Sequence, residues 1–370
     1  MFTIKSLKSQ PNYEQYLAQI RDKIANKTKP LGALGKLEAL AEQLAIVQSV
    51  TGHSSRQYLE NNHLEVNQIQ INKPTAIVFA GDHGIAQHNV SIAPSDVTRQ
   101  MVLNFLQGGA AINCFCSVNN IDLKVVDAGI KVPLTAEEKS LSDAFIEQRL
   151  GEGTNDITQT AAMSEQQVLQ GLELGKQVVL AQLEKGCNFL MFGEMGIANT
   201  SAASAIFMAL TGQSADSCVG QGTGITAQQL ADKKRLINTA VARAQKAETH
   251  FTAENVLAQL AGFEIVQMVG AILAAAEAGI CILIDGFIVT SAALVAEKMH
   301  PELKDYLIFA HQSNEHAHQF MLEHFNATPL LSLDLRLGEG TGAALALPLV
   351  RAAASFYNDM ASFESAGVVV

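Results

Sequence analysis

The chain has 370 residues and a formal charge of −11; 48% of its residues are hydrophobic and 16% charged. That composition excludes a disordered chain, and the acidic balance, with no Lys/Arg stripe, excludes a nucleic-acid surface. An anionic ligand would have to be held by local dipoles and a few placed cations against this field.

Residues 1–50 read as helical. Lys29-Pro30 opens LGALGKLEALAEQLAIVQ, in which Leu34, Leu37, Leu40, Leu44 and Val47 recur at helical spacing. The first residues, MFTIKSLKSQPNYEQ, lack the apolar core of a secretion signal. Residues 51–73 are polar and without period, and a loop or insertion is expected there.

From Thr75 the pattern changes to short apolar runs, each followed by glycine or a polar residue and then a helical stretch. Such runs occur at 75–80, 123–126, 188–192, 280–284, 306–310 and 331–337. Fully apolar strands alternating with helices predict an α/β fold, a parallel sheet flanked by helices in a Rossmann-like three-layer arrangement. Ligands bind such sheets outside the carboxyl ends of the strands. Asp82, His83, Asp127, Glu194, Asp285, His311 and Glu339 therefore fall on one rim. The N-terminal helices stand outside the alternation. Residues 1–73 and part of 345–370 are expected to form a smaller helical domain, beside an α/β domain at 74–344 that carries the site.

The apolar segment 265–296 is interrupted by Gln267, Glu277 and Asp285 and punctuated by Gly279 and Gly286. It reads as a helix, a buried strand and a second helix, not as a membrane span. Five cysteines (Cys114, Cys116, Cys187, Cys218, Cys281) form no CxxC pair and are odd in number. Reduced thiols in a cytoplasmic protein are the expectation.

Three glycine turns recur: GEGTND at 151–156, GQGTGI at 220–225 and GEGTGA at 338–343. Two run into helix-like sequence and suit phosphate or ribose. Neither the GxGxxG of dinucleotide folds nor a GxxxxGK[ST] loop is present. His83 and the cluster His311, His316 and His318 invite a metal reading, but the cluster is badly spaced on one helix face and no HExxH is present, and no GxSxG elbow offers a serine nucleophile. Glu194 and Glu339 remain, each in a glycine-flanked turn at a strand end, as candidate catalytic acids.

The ordered segments FAGDHGIAQHNVSIAPSDVTRQMVLNFLQGGAAIN, GEGTNDIT, FGEMGIANTSAASAI, GQGTGI, LIDGFIVTSAALVA and LRLGEGTGAALALPLV, with KPLGALGKLEALA before them, resemble the nicotinate-nucleotide–dimethylbenzimidazole phosphoribosyltransferase family. The resemblance runs from about Lys29 to Val350. It implies transfer of the 5-phosphoribosyl group of nicotinate mononucleotide to 5,6-dimethylbenzimidazole, with inversion, in a homodimer that needs no metal or cofactor. It assigns the general base to Glu339, in a turn with Gly340. Ser91 and Gln100 would lie near the benzimidazole. Glu194, Gly196, Asn199, Gly222, Thr223, Gly224 and Lys233 would lie near the phosphoribosyl group, with Asp82, His83 and Asp285 as further substrate contacts on the rim. Ile225-Thr226-Ala227, where the family often carries an acidic pair, and His316-Ala317-His318 depart from the family pattern and bear on base preference.

The chemistry implied gives the odd carboxylate a task. Attack by one benzimidazole nitrogen leaves a proton on the other, and a general base in reach contributes about 10²–10⁴-fold. The helix start after Gly340 is expected to keep Glu339 ionised. Glu194 would either orient ribose hydroxyls or stabilise oxocarbenium character. A different nucleotide-handling enzyme and a non-catalytic nucleotide-binding module are the competing readings.

Overall fold

The computed structural model of the chain describes residues 2–52, 68–220, 222, 224–247 and 251–369. Six strands form one parallel sheet: β1 (Thr75–Gly81), β2 (Asp122–Gly129), β3 (Phe145–Glu147), β4 (Leu190–Met195), β5 (Ile282–Ile284) and β6 (Leu307–Phe309). Their order is β3-β2-β1-β4-β5-β6. The chain builds outward from β1 on one side and then restarts with β4 on the other. The carboxyl ends of β1 and β4 therefore flank the point where the winding reverses, which is where open α/β sheets bind ligands.

The expected buried strands are explained by their neighbours. All seven residues of β1 are buried, because helices cover both faces of the sheet. On one face the helix Phe263–Glu277 is buried from Phe263 to Ala276. It crosses the helix Glu165–Leu183 at glycines: a Cβ on Gly175 would stand 2.0 Å from the Gln267 carbonyl oxygen, and one on Gly270 would stand 2.1 Å from that of Leu172. The segment 265–296 is thus a core helix, β5 and the buried helix Phe287–Met299, as its polar interruptions suggested. Four of the cysteines are buried, Cys114 is exposed, and all five are free thiols.

Three local expectations are corrected. The first concerns Lys29-Pro30, which does not open a helix. Gly32 and Gly35 adopt φ of 72° and 53°, so residues 30–35 turn, and the helix is Lys36–Thr51. The second concerns 331–337, which is not a strand of the sheet. Only Leu331–Ser332 is extended in a ladder, pairing with His311–Gln312 in a separate two-stranded sheet. The third is the short edge strand β3, which the sequence reading did not contain. It is three residues long and only half-buried, so it leaves little apolar signal. The loop expected at 51–73 lies mostly outside the described residues.

At the other end of the chain, the helices Tyr13–Ala25 and Lys36–Thr51 pack together and against the helix Thr341–Asp359. Lys27 Nζ donates to the Met360 carbonyl, and Lys27 bridges Ser362. The buried apolar residues from Ile4 to Tyr357 form one continuous cluster.

Replacing Gly175 with alanine tests the helix crossing. Alanine would raise helix propensity by about 0.5–1 kcal/mol, but its methyl would meet backbone that cannot swing away. Overpacking costs about 1–3 kcal/mol or more, so thermal unfolding is expected to show a lower Tm, not the higher one that propensity alone predicts.

Candidate active site

The end of β4 and the turn before the helix Thr341–Asp359 meet backbone to backbone. A Cβ on Gly193 would stand 2.4 Å from the carbonyl carbon and oxygen of Glu339 and 2.5 Å from the nitrogen of Gly340. The turn is left-handed over three successive residues: Gly338 at φ 85°, Glu339 at 64° and Gly340 at 83°. Glycine adopts this region freely, whereas a side-chain residue there costs on the order of 1–3 kcal/mol. Glu339 is the one residue of the three that carries that cost.

Asp285, in the loop after β5, fastens the other side of the turn. Its carboxylate accepts the N–H of Ala343 at 2.8 Å, and those of Gly340 and Gly342, complementing the positive end of the helix. His311 Nε2 lies 3.6 Å from Asp285 Oδ1, and Gly342 is required because a Cβ there would meet the His311 ring at 2.0 Å.

Glu194 stands directly beside this turn. Its Oε1 would be 2.2 Å from a Cβ on Gly338, and its Oε2 accepts from Asn199 Nδ2, the first residue of the helix Asn199–Thr211. Burial, and then the charges of Asp285 and Glu264, push the Glu194 pKa up to about 8. Glu339 is raised to about 7, again by burial first and by Asp285. The N–H of Ile112, in the first turn of the helix Ala111–Val118, donates to its carboxylate and opposes the rise. Its Oε2 is buried and has no hydrogen-bond partner among the described residues. The expectation that a helix start keeps Glu339 fully ionised is thereby corrected: loss of hydration and a neighbouring acid outweigh the helix dipole.

A cavity opens along this rim. Glu194, Gly196, Asn199, Thr200, Gly222, Asp285, Ser313, Glu315, Arg336 and Gly338 are among its lining residues. Lys233 comes to its edge from the helix Ala227–Ala247. Its Nζ donates to Thr200 Oγ1 at 2.8 Å and would lie 3.8 Å from a Cβ on Gly222. Burial brings the lysine pKa down to about 8, with the Glu315 carboxylate opposing. Gly224, at φ 122°, belongs to the same turn as Gly222; Thr223 lies outside the described residues.

Asp82, His83 and Ser91 line a second cavity, together with Lys131, Gly153 and Thr154. Gly196 separates the two. A Cβ on Gly196 would stand 2.3 Å from the Gly81 carbonyl oxygen and 3.3 Å from His83 Nε2. Asp82 also organises loops: its carboxylate accepts the Lys131 N–H at 2.7 Å and its carbonyl accepts the Thr154 N–H at 2.9 Å. Gln100 is exposed on the helix Asp96–Gln107 and lines neither cavity. Glu339 stands behind Gly338, in the wall of the first cavity and not on its lining. Of the histidines weighed for a metal, His316 is exposed with its ring edge-on to Phe320, and His318 is buried and hydrogen-bonded.

Sequence reasoning missed Glu264. Fully buried, it sits 2.8 Å from His83 Nε2. Burial alone would lower the His83 pKa, but Glu264, by charge and hydrogen bond, and Asp82 outweigh it and the pKa is raised. The available signal was a lone acid at the start of an otherwise apolar helix. Glu315 and Arg336 were also missed: Glu315 sits in a polar stretch that, as sequence, reads as solvated loop, and Arg336 in the run 331–337 that reads as a strand.

A doubly wound sheet, glycine turns and carboxylates at the reversal point, and a buried lysine beside them define a nucleotide-binding α/β protein. A phosphoribosyltransferase family model matches residues 9–368. A nicotinate-nucleotide–dimethylbenzimidazole phosphoribosyltransferase from Vibrio atlanticus is 54% identical over 356 residues, covering 96% of this chain and 99% of the relative. The enzyme of that name from Photobacterium profundum is 54% identical over 370 residues, the full length of both. The crystal structure of CobT from Thermus thermophilus matches with a TM-score of 0.87 at 37% identity, over 96% of this chain and 99% of that one. The chain belongs to the nicotinate-nucleotide–dimethylbenzimidazole phosphoribosyltransferase family.

The raised pKa of Glu194 makes a stability prediction. The folded state holds a proton that the unfolded chain releases near pH 4.5, so the wild type loses stability as pH rises from there to about 8. Glu194→Gln keeps an acceptor for Asn199 and removes the titration. Its Tm is expected to match wild type below pH 4.5 and to exceed it by on the order of a few degrees above pH 8; a constant difference across pH would contradict the assignment.

Proposed function

We propose that the protein transfers the 5-phosphoribosyl group from nicotinate mononucleotide to 5,6-dimethylbenzimidazole, giving α-ribazole 5′-phosphate and nicotinate for the lower-ligand nucleotide of cobalamin. The observation that carries the reading is Glu339. A buried carboxylate with an unpartnered oxygen is held in a left-handed turn beside a cavity built from glycine turns and a lysine.

In this reading the phosphate group lies against the backbone of the turns at 193–200 and 220–225, near Lys233. The ribose lies over Gly196, within reach of Glu194 and Asn199. Both carboxyl and amide can hold its hydroxyls, and a protonated Glu194 can donate as well as accept. The base enters between Glu339 and the segment from Ser91 to Gln100, with Asp82 and His83 at its far side.

The step balances without an added acid. One benzimidazole nitrogen gives its lone pair to the anomeric carbon as the pyridinium C–N bond breaks. The bonding pair returns to the pyridine nitrogen, which leaves neutral. The new base carries a positive charge until its other N–H gives up its proton to Glu339. A base with a pKa near the working pH balances availability against proton affinity, and Glu339 at about 7 meets that condition. Holding both substrates in one cleft supplies a further share, for which orientation offers up to about 7–11 kcal/mol. By the family resemblance we extend the reading to a cytoplasmic homodimer working without metal or cofactor.

Two measurements test Glu339. Glu339→Gln is expected to lower formation of α-ribazole phosphate by about 10²–10⁴-fold, with substrate affinities little changed; near-wild-type turnover would remove it from the mechanism. In the wild type, only the ionised carboxylate is active, so kcat/KM is expected to fall as pH drops through about 7. A profile flat from about pH 5 to 8, within about twofold, would sink the assignment.

A further inference from the structure

Besides the segment from Glu194 to Thr200, the turn at Gly222 and the start of the helix Phe287–Met299, the first cavity is walled by residues 285–286 after β5, residues 311–315 after β6 and the arm at 336–338. Asp285 fastens the first of these to the turn at 340–343, and the loop after β6 is tied in from behind the cavity. His318, in the helix His316–Phe325, is fully buried and lines neither cavity, yet it hydrogen-bonds to Ser313 in the loop after β6 and to Thr290 in the helix that follows the loop after β5.

Its Nδ1 accepts the Ser313 backbone N–H at 2.9 Å. A ring nitrogen that accepts carries no proton, so in the neutral ring Nε2 bears the hydrogen. Nε2 lies 3.0 Å from Thr290 Oγ1, and that hydroxyl donates its own proton to the Gly286 carbonyl at 2.8 Å. Each proton in the chain thus has a single direction, from Ser313 through the ring and Thr290 to Gly286. Ser313 carries the connection onward. Its hydroxyl accepts the Glu315 N–H at 3.2 Å and donates to the Leu335 carbonyl at 3.2 Å, which also takes the Asn314 N–H at 2.8 Å. Burial, and the nearby His311, press the His318 pKa down to about 3, so the ring stays neutral at physiological pH and the relay does not switch.

We infer that His318 is a positioning residue for the nucleotide cavity: by joining Ser313 to Thr290 and Gly286 it fixes the loop after β6 against the loop after β5. It thereby sets where Ser313 and Glu315 present their polar groups to the ligand. The inference rests on the reading of this cavity as the nucleotide site.

The two sides of the ring can be cut separately. In His318→Asn the amide oxygen stands at the δ position and still accepts from Ser313, while the bond to Thr290 is lost. His318→Gln places its amide at the ε position and reverses the choice. The Ser313 bond is the one that orients ligand-facing groups. The KM for nicotinate mononucleotide is therefore expected to rise about tenfold in the Gln variant and no more than about threefold in the Asn variant. The KM for dimethylbenzimidazole should stay constant in both. Thr290→Val, which leaves the imidazole in place and removes its anchor, should raise the nucleotide KM in the same direction, and serves if the Gln variant does not fold. Equal effects of Asn and Gln, or parallel rises in both KM values that follow Tm, would overturn the inference and leave His318 an ordinary core residue.

A ring spectrum by ¹⁵N NMR needs no substrate. It is expected to show the Nε2–H form without titration from about pH 5 to 9; an Nδ1–H form or a titrating ring would also overturn the relay. Wild-type turnover with the two substrates is measured separately. Its absence would count against the assigned reaction, while the NMR result still judges the relay.

Discussion

The site depends on the contact between Gly193 and the Glu339–Gly340 peptide. A strand end and a helix start normally keep a side chain's width apart. Here glycine on the strand and glycine in the turn let the two backbones touch. The side chains next to that contact, Glu194 from the strand and Glu339 from the turn, are consequently brought within electrostatic reach of each other in the interior. Asp285 then stops the turn from drifting, because three N–H groups at the helix start converge on its carboxylate. A methyl group on Gly193 would separate the layers and move the base, whatever it did to Glu339 itself.

The resulting rim is crowded with acids, and Lys233, Arg336 and Lys131 are its cations among the described residues that reach the two cavities. Asp82, Glu194, Glu264, Asp285 and Glu339 are all buried there. His83 is committed to Glu264, and Lys233 is weakened by burial. The net charge of the chain opposes a phosphorylated substrate at long range. In the proposed reading, capture of the phosphate falls to Lys233 and to backbone N–H groups, whose partial charges act only at contact. The same crowding raises the proton affinity of the carboxylates, since an acid surrounded by acids and denied water is reluctant to ionise. Electrostatics that hinder binding thus prepare the base.

Much of this was legible in the chain. Apolar runs ending in glycine or a polar residue located five of the six sheet strands and the rim, and the glycine-flanked position of Glu339 singled it out before any coordinates. What failed did so for physical reasons. The alternation LSLDLRL at 331–337 has the period of a strand, but period alone provides no partner, and beyond Ser332 Leu333 and Leu337 are more than half exposed. The ionisation of Glu339 was misjudged because the helix dipole is visible in sequence while burial is not. Glu264 escaped notice because its partner, His83, lies 181 residues away, and no local pattern announces a pair of that separation.

Backbone and partners together, more than burial, set the proposed base apart from the other carboxylates. Asp285 is as buried as an acid can be, and its pKa is also raised, yet it is occupied by the backbone it fastens. Glu264 has an imidazole against one oxygen and leaves the other, like that of Glu339, without a hydrogen-bond partner among the described residues, but its backbone is helical. Glu194 is engaged by Asn199. Glu339 alone of these four combines a strained backbone with an oxygen that nothing in the described protein engages and a pKa near neutrality. A fold that only needed a turn there could use glycine at all three positions and avoid the strain and the desolvation together. That the chain retains a glutamate at the middle one is best explained by an incoming proton.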